Sequence, residues 1–468
     1  MRKKRFFGVL AVVLCLCLCM GCSKKAKIDE LEWWDQFANL METHQAIYDA
    51  YEEETGIHVN YENFDAASFK EAFDLALSSH QAPDILSYAW EANDAVAKYQ
   101  EGNFSALTVK KEDLPEYVQN ALVEGYTMFD GEVYSFPTFN INHQALLWYN
   151  TELVDEVPAS LADFRQQLKD LTDAGANQYG IALPLTDTTR MSNIIKVTTA
   201  LSGGTVDFDY ATGQYVYNSD LLKQVFQFFV DIWEDGSVHP ASTTLKTRTV
   251  RERWVNNETV YAIDGTWYPG SINSAFGGES LEKLGVSGMP VVDPSVSGTM
   301  VGAAPQVGTF YVTGDCEDPE AATQLLTKLL DDDYAVQLAG AMDQPPLNTA
   351  AIEKADVAQV YVEGCNIMAS QMGYYPEPQV RNPEVANVYA ELVAVTPNVG
   401  DIYVGYVTGT LTDWESALDE YNQAMNDELD RAIKACRDMG AEVSREDWIF
   451  SNFVNGESYT SDKYDELK

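Results

Sequence analysis

Between Leu31 and Tyr88 the spacing of apolar positions changes period repeatedly. Leu31-Glu32-Trp33 has the form of a short strand, and Thr43 to Thr55 that of a helix stopped by Gly56. Ile57-His58-Val59-Asn60-Tyr61 alternates apolar with polar, the period of a strand. Ser68 followed by Glu71 has the pattern of a capping box. It opens a run in which Phe69, Ala72, Phe73, Ala76 and Leu77 share one helical face. Pro83 interrupts that run, and Asp84 to Tyr88 forms the next strand. The order β-α-β-α-β predicts a parallel sheet covered by helices, hence an α/β fold.

The same grammar continues downstream. Ser160 opens a helix with Phe164, Leu168 and Leu171 inward. Leu222, Val225, Phe226, Phe229, Ile232 and Trp233 form a second periodic face, closed by Asp235-Gly236. Asp318-Pro319 places a cap before a first-turn proline, leading a helix expected to reach Gly340. Thr412 with Glu415 reads as a further capping box before a long helix carrying Trp414, Leu418, Leu429 and Ile433. The polar stretch from Asn455 to Lys468 is expected to fray. Asp207 to Gly213 faintly suggests a calcium loop, but Ala211 occupies its fifth position and no Glu its twelfth, so a turn between short strands is expected.

At the N-terminus, Arg2-Lys3-Lys4-Arg5 precedes an apolar run from Phe6 to Met20. That run is shorter than the roughly 20 residues a spanning helix needs and suits a secretory signal peptide over residues 1–21. Leu18-Cys19-Met20-Gly21-Cys22 resembles a bacterial lipobox, with Cys22 the residue that would carry lipid and residues 22–30 a tether to the domain. Cys316, Cys365 and Cys436 then remain, too few and too scattered for a disulfide framework. One pair is possible; buried free thiols are the simpler reading. Neither these cysteines nor the five histidines show metal-ligand spacing, so no metal and no cofactor is expected.

Charge narrows the partners. The chain has 468 residues, with 30 Lys+Arg against 72 Asp+Glu, a formal net charge of −42. Such a field repels phosphate backbones and anionic lipid surfaces, which argues against nucleic acid and against membrane docking through a basic patch. A hydrophobic content of 46% is that of a folded globular protein. No nucleophile elbow, P-loop or dinucleotide fingerprint occurs.

Several segments, in order, resemble a known family. Tyr51-Glu-Glu-Glu-Thr-Gly-Ile-His-Val-Asn60, Ala82-Pro-Asp-Ile85, Asp130-Gly-Glu-Val-Tyr-Ser-Phe-Pro137 with Ala145-Leu-Leu-Trp-Tyr-Asn150, and Asn257 to Trp267 are similar to the sugar-type extracellular solute-binding proteins of bacterial ABC importers. The resemblance implies a two-lobed fold like that of maltose-binding protein, with crossovers near Ile141, Val291 and Pro346. The lobes would then be 31–141 plus 292–346 and 142–291 plus 347–468. It also implies a monomeric, lipid-tethered receptor outside the cytoplasm that passes a carbohydrate to permease subunits and is not an enzyme. A cationic solute such as a polyamine is the alternative ligand, and a secreted glycoside hydrolase the alternative activity.

A sugar offers C–H faces for aromatic rings and hydroxyls for planar amides and carboxylates. Such groups belong on loops at strand ends. Trp34-Asp35-Gln36, Trp90-Glu91 and Trp267-Tyr268 each follow a predicted strand, and Trp267 also matches the family's tryptophan. Asn142 and His143 lie at the first crossover, where His143 is either a ligand contact or a satisfied hinge residue. Tyr374 is a later candidate, with an exposed loop as its alternative, and Arg190 and Asn193 are weaker ones.

Overall fold

A computed structural model describes residues 28–37, 40–64, 66–88, 92–296 and 299–467. The expected signal peptide, Cys22, Trp90 and Glu91 lie outside the described residues. The strands that matter are β1 (Glu30–Asp35), β2 (His58–Asn63), β3 (Ile85–Ser87), β4 (Phe104–Ser105), β5 (Leu146–Asn150), β6 (Tyr179–Ile181), β7 (Thr259–Asp264), β8 (Leu284–Gly288), β9 (Val301–Ala303), β10 (Phe310–Thr313) and β11 (Met372–Tyr374).

They build two principal sheets. The first has the order β2-β1-β3-β10-β4. β1 runs parallel to β2 and β3, with Trp33 opposite Tyr61 and Ile85, while β10 is antiparallel to β3 and β4. Parallel pairing requires crossovers, and the helices Met41–Thr55 and Ala66–Ser79 supply them. Both faces are covered: Trp33, Tyr48, Phe310 and Leu325 pack on one side, Phe69, Phe73, Leu86 and Tyr311 on the other. The second sheet has the order β8-β5-β7-β6. β7 is buried along its whole length, between a core containing Phe164, Ile194, Phe229 and Tyr403 and another containing Trp148, Trp254 and Tyr268.

Connections between the sheets pair with one another. Phe139 bridges Pro346, Asn140 N–H donates to Pro345 O at 2.8 Å, and Leu347 N–H to Thr138 O at 2.7 Å. β9 lies parallel to β11.

Four local expectations are corrected. The second helix begins at Ala66, so Ser68 sits inside its first turn and is no cap. The long helix Trp414–Asp438 is capped by Asp413, which accepts Ser416 N–H, not by Thr412. The run after Pro319 breaks into Pro319–Thr327 and Asp332–Gly340, because Asp331 adopts an extended backbone before a run of acids. The tail does not fray: Tyr459 is buried, and its N–H donates to Tyr374 O at 2.8 Å. The segment from Asp207 to Gly213 belongs to the expected hairpin, Phe208–Asp209 against Gln214–Tyr215. Cys316, Cys365 and Cys436 are free thiols.

One close approach is testable. A Cβ on Gly400 would meet Thr188 O at 1.9 Å, so the helix Val399–Val407 seats on Thr188–Leu201 only because residue 400 has no side chain. Gly400→Ala should force the two helices apart and lower stability by about 1–3 kcal/mol, read as a lower urea midpoint at unchanged slope.

Candidate functional site

The strands of the first sheet deliver polar residues to one end. Asp35 terminates β1 and is fully buried. It accepts from His44 Nδ1 (2.9 Å), Tyr61 Oη (2.7 Å), Ser87 Oγ (2.6 Å) and Phe37 N–H (2.9 Å). Burial alone raises a carboxyl; here the His44, Ser87 and Phe37 contacts outweigh it and hold Asp35 below the ordinary range. Asp35, expected as a ligand contact, is therefore an internal clamp with no exposed oxygen. Its neighbour Trp34 points to the opposite face, packs 4.6 Å from Phe64, and donates to Glu32 at 2.8 Å. Gln36 is half-buried and donates its N–H to Ser87 O.

Beyond Gln36 the chain enters a cavity of about 320 Å³ backed by the crossing segments. Phe37, Phe139, Asn142, Gln306 and Gln344 line it, with Thr138 and Thr309. Among the described residues no charged side chain lines it. Asn142 Nδ2 donates to Gln344 Oε1 at 3.0 Å, so the first and third connections meet on its wall. Thr138 Oγ1, Gln306 Oε1 and Thr309 Oγ1 are buried polar atoms with no hydrogen-bond partner among the described residues. Leaving such atoms unpaired costs about 1–3 kcal/mol each, so polar groups behind this wall are not satisfied by the protein alone. Of these residues only Asn142 was expected from the sequence. The others are Thr, Gln and Phe with no spacing signal of their own.

His143, the neighbour of Asn142, turns away from the cavity. It is 4% exposed, accepts Ala145 N–H on Nδ1 (3.1 Å) and donates from Nε2 to Gln371 (2.9 Å). Burial pushes its pKa down to about 4. Both of its ring nitrogens are satisfied within the protein.

On the second sheet Trp267 follows β7 and starts the helix Tyr268–Phe276. It is half-buried, its ring lies over Gly265 where a Cβ would stand 2.4 Å from it, and the Arg190 guanidinium is 5.8 Å from the ring centroid. Arg190 pairs with Asp264, which Arg251 also holds at 2.9 Å. The helix is seated on the third connection, because Gly270 N–H donates to Met342 O at 3.2 Å and leaves no room for a Cβ there. Tyr268, expected beside Trp267 in the cleft, is instead fully buried, with its ring 5.4 Å from Trp148 and 6.0 Å from Trp254. The first residue of a helix turns inward here, toward the core under β7. Tyr374 is half-buried and borders a separate cavity of about 730 Å³ that Gln119 and Val123 also line. Asn193 is half-buried on the helix Thr188–Leu201. Among the described residues no group of three or more His, Cys, Asp and Glu could hold a metal.

The model of the family described as bacterial extracellular solute-binding protein matches residues 46–360, two-thirds of the chain. The chain belongs to that family. Among solved structures, this solute-binding protein is similar to an extracellular solute-binding protein from Staphylococcus aureus in complex with maltose, at 18% identity and TM-score 0.58, covering 88% of this chain and 99% of that one. It is likewise similar to an ABC transporter solute-binding protein from Thermotoga lettingae bound with α-D-tagatose, at 18% identity and TM-score 0.63, covering 86% and 100%. MalX from Streptococcus pneumoniae in complex with maltopentaose gives 15% identity and TM-score 0.61, covering 86% and 99%. These likenesses establish the two-lobed α/β fold. No curated protein matches the sequence. Among the described residues no helix is long and apolar enough to cross a membrane.

His143 supplies a pH prediction. Its pKa in the folded protein, about 4, lies below the ordinary 6.5, so the unfolded chain takes up the proton first. Stability from a neutral His143 is complete above about pH 6.5 and declines as pH falls toward 4, by up to roughly 3 kcal/mol. His143→Gln keeps a polar partner for Gln371 and should flatten that part of the melting-temperature profile.

Proposed function

We propose that this solute-binding protein captures a carbohydrate between its lobes and delivers it to the permease of an ABC importer, as a monomer held to the outer face of the membrane by lipid on Cys22. The hinge cavity carries this reading, because among the described residues its lining is aromatic rings, amides and hydroxyls without a charged side chain. A sugar supplies C–H faces for Phe37 and Phe139 and hydroxyls that both donate and accept. Relatives of the same fold bound to maltose, tagatose and maltopentaose support the same class. A polyamine would need carboxylates to replace its hydration, and glycoside hydrolysis a pair of carboxyl groups; among the described residues this cavity is lined by neither.

In this reading the lobes are 31–141 plus 292–346 and 142–291 plus 347–468, and the pairing of Phe139 with Pro346 supports a hinge there. Solute settles on one lobe, the lobes close, and loss of water strengthens the hydroxyl contacts. Trp267, half-exposed at the start of its helix, is the platform expected from the second lobe, with Trp90 and Glu91 as further candidates from the first.

A thermal-shift panel of neutral saccharides and polyamines decides the ligand class. A saccharide should raise the melting temperature, and Trp267→Ala should weaken its binding by about 1–3 kcal/mol while leaving the ligand-free melting point nearly unchanged. A shift with polyamines alone would reverse the assignment. For the anchor, Cys22→Ser should release the protein from the membrane fraction or leave it unprocessed. A variant processed and retained like the parent would remove the lipid from the account.

A further inference from the structure

The lobes also touch away from the hinge. Gln379 Nε2 donates to Gly125 O at 2.6 Å, Val380 packs on the first lobe's Phe69 cluster, and the helix Val385–Glu391 lies against Ala92–Gln100. The same segment is rooted in the second lobe. Val385 and Val388 pack on Leu429 and Ile433 of the helix Trp414–Asp438, whose first turns join the core of the second sheet.

Glu377 stands at the centre of this junction. Tyr389 Oη donates to its Oε1 at 2.7 Å, and Tyr126, buried in the first lobe, faces the same carboxyl. Its backbone N–H donates to Tyr464 Oη of the tail at 2.8 Å. The hairpin packed against it contributes Tyr210 and Tyr215, and the small cavity that Glu377 borders, about 250 Å³, has Asp207 on its wall. Asp207 is already paired with Lys196 at 2.9 Å. Among the described residues no lysine, arginine or histidine forms an ion pair with Glu377. The arginines of the segments packed here are engaged elsewhere, Arg381 with the Glu446 and Ile449 carbonyls at 2.8 and 2.6 Å and Arg445 with Asp430 at 2.6 Å, so the titratable groups nearest the carboxyl are tyrosines and Asp207. Tyrosine hydroxyls can satisfy the carboxyl, but none supplies a countercharge.

We propose that Glu377 is a latch between the lobes, holding this second contact together while its carboxyl is neutral and releasing it when the carboxyl is charged. The residue keeps some exposure, yet its carboxyl is enclosed. Burial pushes it up to about 7, and the Tyr389 and Tyr126 hydroxyls only partly oppose that. The sign follows. A docked carboxyl that binds its proton more tightly than a solvated one stabilises the contact at low pH, and that stabilisation is withdrawn as pH rises through about 7. The latch would let the acidity of the surroundings bias lobe separation before any solute arrives.

Solution scattering of the ligand-free protein tests this without reference to the solute. Between about pH 5.5 and 8.5 the radius of gyration should increase, with a midpoint near 7, and Glu377→Gln should stay compact across the range because its side chain cannot ionise. A flat wild-type profile would overturn the latch even if the variant failed to fold. An unchanged transition in a folded Glu377→Gln would also overturn it. A solute that binds normally in either case leaves the carbohydrate reading standing on its own.

Discussion

Asp35 ends β1 without exposure to solvent, and four donors converge on it from Tyr61 of β2, Ser87 of β3, His44 of the first helix and the backbone of Phe37. A buried carboxylate is tolerable only when its lone pairs are filled, and removing partners from such a group costs about 3–5 kcal/mol. That demand fixes three parallel strand ends at one height. It also fixes where Phe37 leaves the sheet to enter the hinge cavity. Through His44 Nε2 and Tyr334 Oη, 2.9 Å apart, it reaches the helix Asp332–Gly340 that leads into the third connection. The hinge wall and the strand ends are thus one hydrogen-bonded unit.

The two lobes present chemically different faces. Around the hinge cavity the polar atoms are neutral, and several lack protein partners. Beside Trp267 the charges are present but mutually engaged, with Arg190 and Arg251 sharing Asp264. Two arginines on one carboxylate hold the end of β7 in register with the two helices that carry them and keep the Trp267 ring over Gly265. An excess of 42 negative charges over the chain leaves little trace in these faces, because most acids lie on exposed surfaces in water.

Enclosure by tyrosines is a recurring device toward the C-terminus. Tyr210, Tyr375 and Tyr459 are buried around Phe450, and Tyr126, Tyr389 and Tyr464 surround Glu377. A phenol fills space like Phe while offering one hydroxyl, so it can close a junction between lobes without an ion pair. This is why the tail beyond Asn455 packs despite its polar sequence: Tyr459 and Tyr464 anchor it, Ser458 accepts the Tyr374 N–H at 2.9 Å, and Thr460, Ser461 and Asp462 face solvent.

The alternation of strands and helices is written in the residue order, because hydrophobic period depends only on local spacing, and the helical face from Leu222 to Ile232 is buried as its pattern requires. The ordered family motifs determined the two-lobed architecture. Caps were legible where one side chain sits beside one amide, as at Ser160 and Asp318, and misplaced where two candidates adjoin, as at Thr412 and Asp413. The site was legible only in part. Trp267 and Tyr268 are equivalent in sequence, yet one lies half-exposed and the other under β7, a choice made by the direction in which a helix leaves its strand. Asp35 and His143 carry the right chemistry but are consumed by internal partners up to 228 residues away. Gln306, Gln344 and Thr138 meet only when three distant connections cross, and no local pattern records that meeting. Burial and long-range partnership are properties of the packed chain, so which polar residues remain free for a ligand was decided by the tertiary structure alone.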